Sequence, residues 1–435
     1  MASGSPETGR APTSRTLLPA GGIPWLYFAF AHACLAAAFA ILAFHPSLPG
    51  PFFLHPRMAA LVHLATLGWI TGSIFGAFYF VAPLTMRMPL RPDWGDRIAF
   101  ACYAAGVTIA VWQFWSGDYE RMAWAATLAV IAALHVSARV AIGLPSALGG
   151  WPVKLHVALA FANLIAASTF GIVVGLNRAH AWFVWPPLAS AYAHLHIAVV
   201  GWATMMFVGL AYRLIPMIVP TAMPKGASIA ASAILIETGL AVLVNSLMRA
   251  SAWTTAGALL IVAGLMSFVM HVRLALKKKL PPPAALPRPD WATWQTHVAL
   301  LWLLLAAVLG PALSFGGPGH WRITAGWWYG VAGLIGFLAQ VIAGMQGRLV
   351  PMYAWYVAFE AGGHAPPAVA VHALASQRLA RLNFIVWTAG IPALAIGLAT
   401  QRHTVIVAAS LTMLAGVLLN ATQLARTYVR SLSRR

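Results

Sequence analysis

Three histidines, His63, His194 and His196, lie inside apolar runs long enough to cross a membrane, the last two within HLHIAVVGWATMMFVGLAYRLIPM (194–217). An ionisable side chain at that depth is costly, and it ordinarily faces a protein interior where it meets a partner. A neutral imidazole can donate through one ring nitrogen and bind a metal through the other. Two of them from different helices can hold one haem iron, and the apolar macrocycle then fills a gap between apolar helices. Side chains two residues apart on a helix point about 200° from each other. His194 and His196 are therefore expected to serve opposite sides of their helix. The natural pair by spacing is His63 with His196: Gly68-Trp69, Gly76, Tyr79 and Pro83 follow the first at the same offsets as Gly201-Trp202, Gly209, Tyr212 and Pro216 follow the second.

The elements that must position these rings are membrane helices. Of 435 residues, 61% are hydrophobic and 8% charged, which is the composition of a polytopic membrane protein and not of a soluble enzyme. Twelve segments meet the criterion of about 17–25 mostly apolar residues: 24–45, 57–83, 96–116, 121–143, 152–176, 188–216, 226–247, 252–275, 292–315, 324–350, 381–398 and 403–425. The formal charge of +19 falls between them, so it reads as a topology signal and argues against nucleic-acid binding. Arg87, Arg91, Arg97, Arg139, Lys154, Arg273, Lys277, Lys278 and Lys279 gather on one side together with the C-terminal arginines. That asymmetry places both termini in the cytoplasm of a bacterial cell, with the chain in its inner membrane. Residues 1–22 are expected to be a disordered tail, 426–435 a basic tail, and 277–291 and 352–379 the longest loops. Cys34 and Cys102 sit in apolar segments without a CxxC partner and read as small core residues.

The repeated motif divides the chain into three units of four helices, about 23–145, 151–276 and 291–425. The third copy keeps Gly336-Phe337, Gly344 and Pro351, but Val331 stands at the histidine position. The shared glycines either let helix backbones approach or leave room for a flat ring. The second, sixth and tenth segments all run from the outside inward, and the three histidines, one on the second and two on the sixth, fall in one layer near the outer face.

HLHIAVVGWATMMFVGLAYRLIP resembles the helix of haem-copper oxidase main subunits, the cbb type above all, in which an HxH pair precedes GW, G, Y and P. Twelve helices in three four-helix units are similar to that superfamily's layout. The resemblance implies haem b, one or two per chain, with His194 on a high-spin haem and with His196 and His63 on a low-spin haem. It implies electron transfer or redox chemistry on oxygen or nitric oxide, with a cytochrome c-type donor or a partner subunit beside the lipid bilayer. The family's copper needs three histidines including an adjacent pair, and this chain has no HH. The nitric-oxide-response haem proteins of the NnrS kind share the 12-helix layout. A secondary transporter is the reading from another class, because internal repeats and buried polar residues also suit alternating access.

Other polar residues have plainer expectations. Glu237, the one carboxylate well inside a segment, reads as a hydrogen-bonded link between helices. His32, His135, His156, His271 and His297 lie near the cytoplasmic helix ends and read as interfacial or backbone-bonded, the alternative being a second polar layer or metal site. Arg213 and Arg348 either snorkel to the interface or reach an anion.

Overall fold

The computed structural model describes residues 22–432 apart from 51, 187, 223–225, 282–285, 318 and 368. Among them every long element is a helix and none is a strand. Twelve helices are long and apolar enough to cross a membrane: α1 (Ile23–Phe44), α2 (Pro56–Met86), α3 (Trp94–Ser116), α4 (Tyr119–Gly143), α5 (Trp151–His180), α6 (Ala189–Ile218), α7 (Ser228–Met248), α8 (Thr254–Leu276), α9 (Trp291–Phe315), α10 (Trp321–Ala361), α11 (Gln377–Thr400) and α12 (His403–Leu432). The face at which α1 begins is called the terminal face and the opposite one the distal face. Two boundaries differ from expectation. Helix α10 runs on to Ala361, so much of the expected loop after Met352 is helical, with one further turn at Val371–Leu374. Helix α12 continues to Leu432 and carries Arg426 and Arg430 on its last turns, where a tail was expected. The expected N-terminal tail lies, Gly22 excepted, outside the described residues.

Helix ends follow local chemistry. Asp93, Asp118 and Asp290 each accept a backbone N–H at the start of α3, α4 and α9, which satisfies donors that have no partner within the helix. The α3–α4 and α11–α12 links are two residues each, so those sequential helices lie antiparallel and their apolar flanks meet.

Helices α2 and α6 are the most deeply enclosed of the twelve, followed by α10 and α1. In each of the three repeat-bearing helices the α-helix widens into π-helix, at Leu64–Thr71, Ile197–Thr204 and Val331–Ala339. A π stretch adds a residue per turn and re-aims the side chains around it, a distortion frequent at functional sites. The first two begin directly after His63 and His196. The aromatic residue of each motif ties its helix to the next: Trp69 donates to the Ala339 carbonyl (3.3 Å), Trp202 to the Thr71 hydroxyl (3.1 Å), and Phe337 packs edge-on against Phe207 at 5.2 Å. Helices α2, α6 and α10 thus close a ring of mutual contacts.

Between the expected roles of the glycines, close packing is what the structure displays. A Cβ on Gly68 would fall 2.3 Å from that of Cys34, one on Gly201 would fall 2.6 Å from Cγ of Asn163, and one on Gly336 would fall 2.4 Å from the Trp302 ring. Each pins the second helix of a unit against the first. Cys34 is buried in that contact and both cysteines are free thiols.

Candidate functional site

The distal layer is built from the first turns of α2, α6 and α10. His63 ends the α-helical start of α2, and its Nδ1 lies 2.7 Å from the Ala59 carbonyl four residues earlier. His196 is held in the same way, with Nδ1 at 2.8 Å from the Tyr192 carbonyl. A carbonyl oxygen only accepts, so each Nδ1 carries the proton and donates, and each Nε2 presents its lone pair. This is the second-shell arrangement by which metal-binding imidazoles are oriented.

His194 and His196 do point to different neighbours, and the neighbours are the finding. His63 faces His194: the two ring centres are 6.2 Å apart and the planes differ by 18°. Phe114 of α3 covers the other side of His63 at 4.6 Å. On α5, a Cβ at Gly171 would come within 2.8 Å of Cε1 of His194, so glycine makes the space that ring occupies. Nδ1 of His194 is buried without a well-aligned hydrogen bond, and the backbone group beside the ring is the Ala167 carbonyl of α5. His196 turns instead to α10, where the Tyr329 hydroxyl lies 3.2 Å from its Nε2. The spacing-based pair was His63 with His196; the ring that meets His63 belongs to the other member of the HxH, because α6 presents residue 194 to α2 and α5 and residue 196 to α10.

Two imidazole nitrogens about 2 Å from a shared metal ion, with half a ring behind each, put the ring centres roughly 6 Å apart. The His63–His194 centre distance is of that size, with the ring planes 18° from parallel, and a buried polar atom such as Nδ1 of His194, without a well-aligned bond, is one that a ligand would satisfy. The donor set is neutral imidazole, as haem iron takes. Among the described residues, no three histidines lie close enough together to share one metal ion. Towards the distal face, Phe114 packs on Tyr119 at 6.2 Å, and Tyr119 lines a polar cleft of about 460 Å³ with Ser116, Asp118, Glu120 and Arg178.

The terminal face holds a second polar layer in which most of the histidines are hydrogen-bonded, while Tyr27, Gln295, Asn383 and Gln423 each keep a buried side-chain atom without a partner. Asp96, fully buried, accepts from the Tyr79 hydroxyl (2.6 Å), lies 3.0 Å from Nε2 of His135, and caps the Asp93 backbone N–H at 2.7 Å. Arg139 pairs with Asp93 and reaches Asp96 at 3.5 Å. Asp93, Asp96 and His135 have the spacing of a cation site, but the Arg139 guanidinium already supplies the positive charge. In the second unit Nε2 of His156 meets the Ser232 hydroxyl at 2.8 Å, and the Tyr212 hydroxyl lies 3.2 Å from Ser232 and 3.1 Å from Nδ1 of His271. His32 bonds the Phe28 carbonyl and meets Asn420 at 3.2 Å. His297 is exposed beside Trp294 and joins nothing.

Glu237 accepts from Asn163 at 2.8 Å and links α7 to α5, as its expected role requires. Arg213 donates to the Thr85 carbonyl at 3.1 Å and Arg348 pairs with Asp290 at 3.2 Å. Asp96 and Tyr329 are the polar residues that sequence reasoning passed over. For Asp96 the signal was DWGD (93–96), two aspartates at capping-box spacing. For Tyr329 it was the repeat itself: Tyr329 precedes Gly336 by the interval at which His194 precedes Gly201.

No protein-family model matches the chain, and no curated protein is detectably similar to it in sequence.

Proposed function

We propose that the chain is a haem-binding protein of the bacterial cell membrane, working in electron transfer or in redox chemistry on a diatomic gas, oxygen or nitric oxide, with both termini in the cytoplasm. The observation that carries this reading is the His63–His194 pair: two rings from separate spans, 6.2 Å between centres, one with a buried nitrogen that lacks a well-aligned hydrogen bond. His63 and His194 would hold b-type haem, which when bound supplies a one-electron couple. Ala59 fixes the His63 tautomer, Gly171 gives His194 its place and Phe114 keeps lipid and water from the back of His63. The resemblance of HLHIAVVGWATMMFVGLAYRLIP to the haem-copper oxidase helix supports the same reading, and it is the ground for the gas. A cytochrome c-type donor or partner subunit would approach from the distal face, where the polar cleft lies above Phe114. A haem protein of the nitric-oxide response fits these features equally.

The second reading, a secondary transporter, draws on the buried Asp96 with His135 and Tyr79, a group able to take up a proton or exchange partners. One measurement separates the two. Purified protein read by absorption, oxidised and then reduced, is expected to show a Soret band with sharp α and β bands. Folded but colourless protein that remains colourless with added haemin would overturn the haem reading and favour transport.

A further inference from the structure

The HxH of α6 supplies two imidazoles, and only one of them meets a second imidazole. His196 has its Nδ1 on the Tyr192 carbonyl and its Nε2 on the Tyr329 hydroxyl at 3.2 Å, so both ring nitrogens are engaged. The phenol ring lies beside the imidazole, with centres 6.2 Å apart and planes 28° from parallel. A phenol hydroxyl donating to Nε2 occupies the lone pair that a metal would need. The repeat gives this contact a meaning: by distance from the glycine-aromatic pair, Tyr329 is the third unit's counterpart of His194, as Val331 is the counterpart of His196. The third unit has thus exchanged an imidazole for a phenol, and that phenol points at the remaining imidazole of the second unit.

The space beside the pair is not filled. A Cβ on Gly330 or Gly333, on the turn of α10 that follows Tyr329, would meet no atom within 4 Å. Gly310 of α9 lies against the phenol, where a Cβ would stand 3.6 Å from its hydroxyl. Backed by α9 and facing an open strip of α10, Tyr329 is placed as a stopper on His196.

We propose that Tyr329 sorts the two histidines of α6: its hydroxyl holds Nε2 of His196 out of iron coordination, so that haem loads on His63 and His194 alone, and its removal opens a second haem site on His196. Tyr329 is in this respect a positioning residue. The proposal rests on the imidazole reading of the distal layer, but its test can fail independently. Haemin is titrated into the purified full chain in detergent and followed by Soret absorbance. Wild type is expected to bind one equivalent, Tyr329→Ala two, and Tyr329→Ala with His196→Ala one again. Tyr329→Ala held at one equivalent overturns the sorting role and leaves the His63–His194 site standing. Wild type at zero with Tyr329→Ala at one does the reverse, and zero in both removes both. A second measurement needs no haem and no large-to-small change in Tyr329. In haem-free protein with isotope-labelled tyrosine, the infrared C–O band identified as Tyr329 by its loss in Tyr329→Phe is expected to shift in His196→Ala. An unmoved band would mean that the hydroxyl does not hold the imidazole, and the stopper role falls with it.

Discussion

The two polar layers of this bundle use the same residue types and reach opposite ends. At the terminal face His135, His156 and His271 each meet a fixed acceptor or hydroxyl, namely Asp96, Ser232 and Tyr212, and His32 meets Asn420. At the distal face no carboxylate faces the rings, His63 and His194 face each other, and one nitrogen of His194 lacks a well-aligned hydrogen bond. A buried polar atom without a partner forfeits its hydration for nothing, a penalty of about 1–3 kcal/mol. Four histidines are hydrogen-bonded at one end and one ring nitrogen lacks a well-aligned bond at the other, and that contrast among the histidines is the ground for proposing a ligand there. What separates a structural histidine from a ligating one is thus the bonding capacity that remains after folding, more than depth or burial.

The sharpest way to break this comparison is to remove rings from each layer in turn. His63→Ala and His194→Ala are each expected to reduce haemin binding at least tenfold, read by Soret titration, because each removes one of the two imidazoles that would hold the haem. His156→Ala and His271→Ala should leave binding unchanged. Loss of haem in the terminal-face variants at retained fold would erase the distinction between the layers. The converse effect is on stability. Asp96→Ala strands the Tyr79 hydroxyl, His135 and the Arg139 guanidinium together, and breaking such a buried, charged network is expected to lower stability by about 3 kcal/mol. The check is thermal unfolding in detergent, followed by circular dichroism.

A finer probe moves a ring without removing it. Gly171→Ala places a methyl group 2.8 Å from Cε1 of His194, closer than side chains tolerate, so the imidazole must shift. Haemin affinity is expected to weaken about tenfold, equivalent to about 1.4 kcal/mol, with little change in unfolding temperature. Gly175→Ala, one turn along α5, serves as the control: its methyl would press on Met122 and not on a histidine, so affinity should hold.

The twelve spans were largely legible in the sequence because hydropathy is a one-dimensional signal: a span announces itself by about 20 apolar residues whatever it packs against. The histidine layer was legible for a related reason, as imidazoles inside such runs stand out. The pairing was not. Equal offsets in two repeats suggested His63 with His196, but which ring meets which depends on how α6 is rotated against α2 and α10, and the π stretches at Leu64–Thr71 and Ile197–Thr204 change the residues per turn beside the rings. No apolar period signals a π-helix. Asp96 escaped notice because it starts a span, where charges usually mark topology; only the fold brings Tyr79, His135 and Arg139 around it. Tyr329 escaped because attention stayed on the lost imidazole at Val331, while the polar group had moved two residues along the same helix.

The smallest expected effect tests whether hydrogen bonding at the terminal face is itself redundant. Ser232 holds Nε2 of His156 at 2.8 Å, lies 2.8 Å from the Ile229 carbonyl, and lies 3.2 Å from the Tyr212 hydroxyl. Nδ1 of that ring faces the Pro152 carbonyl at 2.7 Å, which only accepts, so Nδ1 carries the proton and Nε2 accepts from the Ser232 hydroxyl, for whose one proton the Ile229 carbonyl competes. Ser232→Ala tests that arrangement. If the hydroxyl is the donor, the variant leaves the imidazole lone pair to Tyr212, which can redirect its own proton there, and stability should fall by only about 1 kcal/mol. A fall of about 3 kcal/mol in thermal unfolding would mean that nothing replaces the serine, and the terminal layer would then be as finely balanced as the distal one.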